Sequence, residues 1–266
     1  MFDSIAGDYD ALNHILSLDV DKIWRRKALK QIVDAPAPAR VLDLACGTGD
    51  FSIAIAKALS RSHKRVGTPI EAHVKAPAKA PVEAQVTSTG FVTGDSGRSD
   101  LMTKGHVTGV DLSEGMLAVM REKVAKAGLT EMISIEEGDG ENLRFPDNTF
   151  DRVTIAFGIR NFENREKGLR EMLRVLKPGG RLVILELSRP ENKVIRWFYD
   201  LYFLHILPKI GGKVSGDKAA YAYLPASVAA FPGKKAFMAT KRGAGFRTVT
   251  HKAFTLGICR MYTGEK

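Results

Sequence analysis

The sequence predicts an α/β fold in which a doubly wound, mostly parallel sheet carries helices on both faces. Short apolar runs alternate with segments of helical periodicity, and a glycine turn follows the first of these runs. The length of 266 residues and the 44% hydrophobic content suit one domain of ordinary size, which we expect over residues 1–266. The candidate strands lie at 40–44, 106–110, 133–135, 151–156, 181–187, 246–250 and 256–262.

Helices are expected between the strands and at the amino terminus. Apolar residues recur at helical spacing in 50–59, 113–127 and 165–176. Ser113 is placed to cap the second of these helices. Residues 1–35 show similar spacing and predict a helical cap, whereas residues 189–230 predict a helical and loop region on the substrate side.

Residues 61–105 interrupt the alternation and predict a disordered, solvent-exposed insertion. The segment is rich in Pro, Ala and Lys and then in Ser, Thr and Gly, a composition that buries too little apolar surface to fold. Gly47 and Asp111 are 64 positions apart, and removal of these 45 residues leaves 19. Nucleotide-binding units separate the glycine loop from an acidic residue by about 20 positions. Excision of the insertion therefore restores an ordinary unit of this kind.

Charge is distributed unevenly along the chain. Residues 189–266 contain 14 Lys and Arg against 4 Asp and Glu, which accounts for the net charge of +10, whereas residues 1–188 contain 26 of each. A basic tail is compatible with an anionic membrane surface or with nucleic acid. Because its aromatic residues crowd one apolar run and do not alternate with Lys and Arg, nucleic acid is the less favoured partner.

The sequence also indicates a compartment. No apolar run approaches the ~18 residues that a membrane span needs, and the start at Met1-Phe2-Asp3 lacks the pattern of a signal peptide. Cys46 and Cys259 are too few for a disulfide framework or a metal cluster. We expect a cytoplasmic protein, and the basic tail leaves peripheral membrane association open.

A glycine turn follows the first candidate strand. Gly47 and Gly49 allow the backbone to turn tightly and to approach a ligand, and the helix that follows presents unpaired N–H groups. These groups suit a carboxylate or a phosphate. Two such glycines also occur in ordinary strand-to-helix turns, so this turn alone identifies no ligand.

Acidic residues follow the second and third candidate strands. Asp111 can accept both ribose hydroxyls of an adenosine, in NAD and in S-adenosylmethionine alike. Asp139, which precedes Gly140, can accept from an adenine amino group, although an Asp there can equally form a turn. Phe51 and Ser52 complete the loop without the third glycine of a dinucleotide motif. The three loops together favour S-adenosylmethionine.

Five motifs give the chain a specific resemblance. They lie at 41–50, 110–116, 145–151, 157–161 and 175–181, and the fourth reads Phe-Gly-Ile-Arg-Asn. Because of these five motifs the chain resembles the menaquinone and ubiquinone biosynthesis C-methyltransferases. The resemblance covers nearly the whole chain apart from the insertion. The resemblance implies a class I S-adenosylmethionine-dependent methyltransferase, with a Rossmann-like sheet of seven strands.

The resemblance also implies which residues bind the cofactor. They are Thr48, Asp111, Asp139 and Gly140, with Asp43, Gly47 and Gly49 at the amino-acid end of S-adenosylmethionine. Two positions depart from many relatives. Ala156 stands where some have Ser, which removes a hydroxyl contact, and Leu256 stands where many have Gly.

The implied reaction is C-methylation of demethylmenaquinol, a polyprenylated quinol. Because a quinol ring becomes nucleophilic at carbon when it loses a hydroxyl proton, the site must favour the phenolate. Arg160 could stabilise this anion, with Asn161 orienting it. Tyr9, Asp10 and His14 are candidate bases if the amino-terminal helix closes over the site. No metal is expected, since methyl transfer needs mainly alignment of the reacting atoms.

Several alternatives remain at this stage. Arg160 could instead form a surface salt bridge with Glu163 or Glu166, and the aromatic segment 195–207 could be core, a prenyl-tail groove or a membrane contact. The nearest alternative substrate is the polyprenyl methoxy-benzoquinol of ubiquinone biosynthesis. An RNA methyltransferase and a non-catalytic cofactor-binding module are alternatives of other classes.

Overall fold

The computed structural model describes residues 19–35, 39–66, 105–202 and 218–266, leaving out the side chains of 62–66 and 218–222. Its strands are β1 (Arg40–Leu44), β2 (His106–Asp111), β3 (Ile133–Glu137), β4 (Phe150–Ala156), β5 (Leu176–Leu187), β6 (Arg247–Phe254) and β7 (Cys259–Glu265). They form one sheet in the order β3-β2-β1-β4-β5-β7-β6. The predicted doubly wound, seven-stranded sheet is confirmed.

Seven helices are described around this sheet. They are α1 (Val20–Ile32), α2 (Asp50–Val66), α3 (Glu114–Lys126), α4 (Arg165–Val175), α5 (Lys193–Leu201), α6 (Lys218–Ala230) and α7 (Lys234–Gly243). Short 3-10 turns lie at Ile159–Asn161 and Thr255–Gly257. The Ser113 hydroxyl accepts from the backbone N–H of Met116 at 3.2 Å, which confirms the predicted cap of α3.

Strand direction determines where a ligand can bind. β1 pairs in parallel with β2 on one side and with β4 on the other, and β5 continues the parallel set. β7 is antiparallel to both β5 and β6. The carboxyl ends of β1, β2, β4 and β5 therefore share one edge. The strand order reverses between β1 and β4, and ligands of doubly wound sheets bind at such a switch point.

Alternate strand residues serve two separate apolar layers. Val41 packs with α1, α2 and α3 on one face, whereas Leu42 and Leu44 pack with α4 and α7 on the other. Asp43 lies on the same face as Val41, on the side of α1 and α2. The pleat of β1 thus directs one carboxylate towards the helices that flank the switch point.

The structure corrects several predicted boundaries. Helix α2 continues to Val66, past the predicted beginning of the insertion at residue 61, and Leu256 lies in a 3-10 turn before β7. The remainder of the insertion up to residue 104, residues 1–18 of the predicted cap and residues 203–217 lie outside the described residues.

Candidate active site

A cavity of about 490 Å³ lies beside the carboxyl ends of β1, β4 and β5. Its charged lining residues among the described part of the chain are Asp21, Arg25, Asp43, Asp50 and Arg160. The first four come from α1, β1 and the beginning of α2 and define what we call the polar end.

The opposite side of the cavity is apolar. Leu187, Tyr199, Tyr202, Leu224 and Ile258 pack together there and define the apolar end, to which α5 and α6 both contribute. The loop after β4 lines the cavity too. Because β4 lies between β1 and β5 in the sheet, this loop stands between the two ends.

The glycine loop after β1 has left-handed backbone at Gly47 (φ 55°) and Gly49 (φ 83°). A Cβ added at Gly49 would lie 2.4 Å from Cγ of Met120, so both the backbone angle and the neighbouring helix require glycine there. Gly47 and Thr48 line the cavity. The loop therefore brings backbone and a hydroxyl directly to the polar end.

Asp43 is fully buried at the polar end of the cavity. Burial raises its pKa to about 7, although the hydrogen bond that it accepts from the Ser52 hydroxyl at 2.6 Å lowers the pKa. The sequence predicted this carboxylate at the amino-acid end of the cofactor. It lies where an ammonium group could compensate its charge.

Asp111 ties the end of β2 to the glycine loop. Its Oδ2 accepts from the backbone N–H of Gly47 at 2.8 Å, and its Oδ1 accepts from that of Ser113 at 2.9 Å. A carboxylate offers about four lone-pair sites and can accept several hydrogen bonds at once, and binding of ribose hydroxyls by Asp111 remains a prediction. Asp111 is not among the residues that line the cavity.

Asp139 and Gly140 lie in the loop after β3, apart from the large cavity. Asp139 is exposed, and its carboxylate accepts from the backbone N–H of Glu141 at 2.8 Å, the turn-forming role that the sequence also allowed. A Cβ at Gly140 would lie 2.5 Å from the Phe162 ring, and a Cβ at Gly168 of α4 would lie 2.6 Å from it. Contact of these two residues with adenine remains a prediction.

Arg160 is buried in an ion pair. Its Nη1 donates to Oε1 of Glu186 at 2.8 Å, and its backbone N–H donates to Oε2 at 3.0 Å. Its Nε donates to the Ser227 hydroxyl at 3.3 Å, and Nη1 also donates to the carbonyl of Phe157. The alternative of a surface salt bridge with Glu163 or Glu166 is therefore wrong.

Glu186 is the partner that sequence analysis missed. It lies near the end of β5, is 0% exposed and interrupts a run of buried apolar residues. A carboxylate in such a run requires a buried cation or a hydrogen-bond donor. That rule was the available signal, but it does not indicate which of the 40 Lys and Arg residues is the partner.

Asn161 is held by α6. The Tyr223 hydroxyl donates to its Oδ1 at 2.9 Å, so the residue beside Arg160 is fixed across 62 positions of sequence. Tyr9 and Asp10, the other predicted catalytic residues, and His14 lie outside the described residues.

Helix α1 closes one side of the cavity. The Trp24 ring lies 6.2 Å from that of Phe157, and its Nε1 donates to the Thr255 hydroxyl at 2.9 Å. Ala156, where some relatives have Ser, lines the cavity, as does Leu256. Leu256 has φ 57° and is 72% exposed, so it stands in backbone that favours glycine.

The doubly wound sheet, the glycine loop and the carboxylates at the ends of β1 and β2 are those of the class I S-adenosylmethionine-dependent methyltransferase fold. Solved structures have the same fold. A methyltransferase structure from Methanococcus maripaludis aligns with a TM-score of 0.59 and 16% identity over 100% of this chain and 94% of that one. A S-adenosylmethionine-dependent methyltransferase from Aquifex aeolicus aligns with a TM-score of 0.53 and 19% identity over 90% and 88%.

The chain belongs to the ubiE/COQ5 methyltransferase family, whose model matches residues 1–266. A ubiquinone/menaquinone biosynthesis C-methyltransferase of Geobacter sulfurreducens is 44% identical over 100% of this chain and 87% of the relative. Demethylmenaquinone methyltransferases of Bacteroides fragilis and Thermus thermophilus are 39% and 37% identical over 100% of this chain, and the matches cover 91% and 100% of those relatives. The predicted family, methyltransferase activity and cofactor, S-adenosylmethionine, are confirmed.

Proposed function

We propose that this enzyme transfers a methyl group to a ring carbon of demethylmenaquinol and so forms menaquinol. Relatives named for this reaction match the chain over its whole length. The main support for the proposal is the Arg160–Glu186 ion pair. This pair holds a guanidinium in the wall of the cavity, which has one polar and one apolar end. Such a cavity suits a charged cofactor beside a quinol with a hydrocarbon tail.

The polar end fits S-adenosylmethionine by the chemistry of its groups. Asp43 and Gly47, which we expect at the amino-acid end, line the cavity together with Thr48, Asp111 ends β2, and Asp139 lies in the loop after β3. When bound, S-adenosylmethionine supplies an electrophilic methyl group on a sulfonium. The protein then has to bring a ring carbon into line with this methyl group.

Arg160 acts on the other reactant. A quinol that loses a hydroxyl proton carries negative charge on oxygen and on ring carbon, and a fixed guanidinium lowers the free energy of that anion. Because Glu186 and Ser227 hold the side chain, it needs little reorganisation when the charge develops. The hydroxyl proton passes to water or to a base, for which we propose Tyr9 or Asp10. After the transfer, the hydrogen on the methylated ring carbon leaves as a proton and the phenolic oxygen takes up a proton, which restores the hydroquinone.

The apolar end suits the prenyl tail, and helix α5 suits a membrane. On its outer face Val194 and Trp197 are 65% and 61% exposed, and Phe198, which is 60% exposed, also lines the cavity. Within the described residues no helix is long and apolar enough to cross a bilayer. We infer peripheral contact, in which α5 enters the interface and the tail passes from lipid into the cavity.

Vesicle sedimentation tests this contact. With vesicles that contain anionic lipid, replacement of Val194 and Trp197 by Ser should weaken binding about tenfold, because two exposed apolar side chains are lost from the interface. Leu112→Ser, which removes an equally exposed apolar side chain at the end of β2, should leave binding unchanged. Equal binding by the wild type and the double variant would contradict the role of α5.

A transfer assay tests the reaction. The purified chain should move the labelled methyl group from S-adenosylmethionine to demethylmenaquinol in detergent micelles. Arg160→Lys, which keeps a positive charge opposite Glu186 but loses the planar fork, should lower kcat about 100-fold. Arg170→Lys, which makes the same substitution on the exposed face of α4, is the matched control and should have wild-type kcat.

The same assay with three substrates, demethylmenaquinol, the polyprenyl methoxy-benzoquinol and RNA, distinguishes the proposed reaction from its alternatives. Transfer to the polyprenyl methoxy-benzoquinol alone would assign the enzyme to the ubiquinone reaction. Transfer to RNA, with neither quinol methylated, would replace the proposal by a nucleic-acid enzyme. No transfer to any of the three substrates would overturn it.

A further inference from the structure

The polar end of the cavity contains three carboxylates and one guanidinium. Asp21, Asp43 and Asp50 line it together with Arg25. The amino-acid end of S-adenosylmethionine carries both an ammonium and a carboxylate. Carboxylates of the protein can bind the ammonium, but they repel the cofactor's carboxylate. A cation at the same end would offset this repulsion and would add to the backbone N–H groups of the glycine loop.

Among the described residues that line the cavity, Arg25 and Arg160 are the two cationic side chains. Arg160 is engaged by Glu186 at 2.8 Å and belongs to the loop after β4. Arg25 projects from α1 into the polar end itself. Arg25 is therefore the cationic side chain whose position suits the carboxylate of the cofactor.

Arg25 is held loosely by its acidic neighbours. Its Nε lies 3.5 Å from Oδ2 of Asp21, and its Nη1 lies 3.9 Å from Oδ2 of Asp50. Within the described part of the chain Nε makes no hydrogen bond, although it is buried. The guanidinium carbon also lies over the Phe157 ring, 5.6 Å from its centroid, which is a cation–π contact. It is thus placed at the cavity with donor capacity left for a ligand.

We propose that Arg25 binds the α-carboxylate of S-adenosylmethionine, while Asp43 receives the α-ammonium. The assignment rests on the proposed use of this cavity for the cofactor. Guanidinium and carboxylate match in planar, two-pronged geometry, so Arg25 would orient the methionine chain as well as attract it. The residue thereby makes α1 part of the cofactor site.

Binding of two ligands that differ in one group tests the assignment. S-adenosylhomocysteine has the amino-acid end, whereas S-adenosyl-3-thiopropylamine has the amine without the carboxylate. By titration calorimetry on the full chain, Arg25→Gln should weaken S-adenosylhomocysteine about 30-fold, the usual effect of a lost charge-assisted pair. It should change the affinity for the amine analogue by less than about threefold, since that ligand has no carboxylate to lose.

Two further variants test whether the loss of affinity is specific to the guanidinium of Arg25. Arg26→Gln, at the exposed neighbouring position of α1, should leave both affinities at the wild-type value. Arg25→Lys keeps the charge and should recover part of the lost affinity for S-adenosylhomocysteine. Thermal unfolding of each variant without ligand reports whether α1 remains packed.

Each result has a distinct meaning. Equal loss for both ligands in Arg25→Gln would overturn the assignment, because it would place the effect in the fold and not in the carboxylate. Wild-type affinity for S-adenosylhomocysteine in that variant would overturn it as well. If the wild-type chain bound neither ligand, the cofactor site of the proposed function would itself fail.

Discussion

The two halves of the sheet hold their polar groups in different ways. In the β3-β2-β1 half, Asp139 and Asp111 each accept from a backbone N–H two positions away, and Asp43 accepts from Ser52 nine positions away. In the other half, Arg160 reaches Glu186 over 26 positions and Asn161 reaches Tyr223 over 62. In the cofactor half these carboxylates mostly serve local turns, although Asp111 also binds Gly47 and Lys123 binds Thr48 and Asp50 over long distances in sequence, whereas in the substrate half Arg160 and Asn161 are held by long-range pairs.

The two kinds of hydrogen bond should contribute differently to the stability of the fold. A hydrogen bond inside a local turn forms with the turn and is lost with it. A buried pair between distant elements stabilises each partner only while both elements are packed, and one partner alone is strongly unfavourable. Substitutions in the substrate half should therefore cost more stability than comparable ones elsewhere.

Within the substrate half, Glu186→Gln compares the buried long-range pair with an exposed local pair. It leaves the buried Arg160 without a countercharge, so we expect the free energy of unfolding to fall by about 3 kcal/mol. Glu166→Gln removes the exposed partner of Arg170 and should cost less than about 0.5 kcal/mol. Urea denaturation of both variants gives the two values. Similar losses in the two variants would abolish the distinction between the buried pair and a surface pair.

A smaller effect is expected at Lys241 of α7, on the outer side of the substrate half. This side chain is 0% exposed, its amine makes no hydrogen bond within the described residues, and burial lowers its pKa to about 7. Between pH 7 and the ordinary pKa near 10.5, the unfolded chain keeps a proton that the folded chain has lost. The stability of the wild type should therefore rise with pH across this window.

Lys241→Met removes that dependence. We expect the variant to be more stable than the wild type by about 2 kcal/mol at and below pH 7, with the gap narrowing as the pH rises. Lys235→Met, at an exposed position of the same helix, should show no such gap. Thermal unfolding at a series of pH values measures both. A gap that is independent of pH would contradict this, because it would mean that the amine keeps its ordinary pKa and stays protonated in the folded protein.

Sequence analysis predicted the parts of the molecule that local patterns encode. The strand–turn–helix around Gly47, the cap at Ser113 and the alternation of strands and helices follow from short-range rules, and the structure confirms them. The resemblance to a family added the position of Arg160. The strand boundaries near the carboxyl terminus were less accurate, because Leu256 adopts a left-handed conformation that its residue type does not suggest.

The remainder depends on contacts that form only in the folded chain. Nothing in the spacing of Glu186 and Arg160 indicates that they meet, since β4 and β5 become neighbours through pairing of the sheet. Arg25 gave no signal at all, because a basic residue on an amphipathic helix is most often exposed. Its function is visible only once α1 lies against the glycine loop.

Phe162 joins the two halves that otherwise differ so much. Its ring fills the space that side chains at Gly140 and Gly168 would need, and it follows directly after Asn161. The three positions therefore behave as one unit in design or evolution. A larger residue in the loop after β3 becomes acceptable only when the ring is made smaller, and a smaller ring leaves a hole beside the segment that presents Arg160.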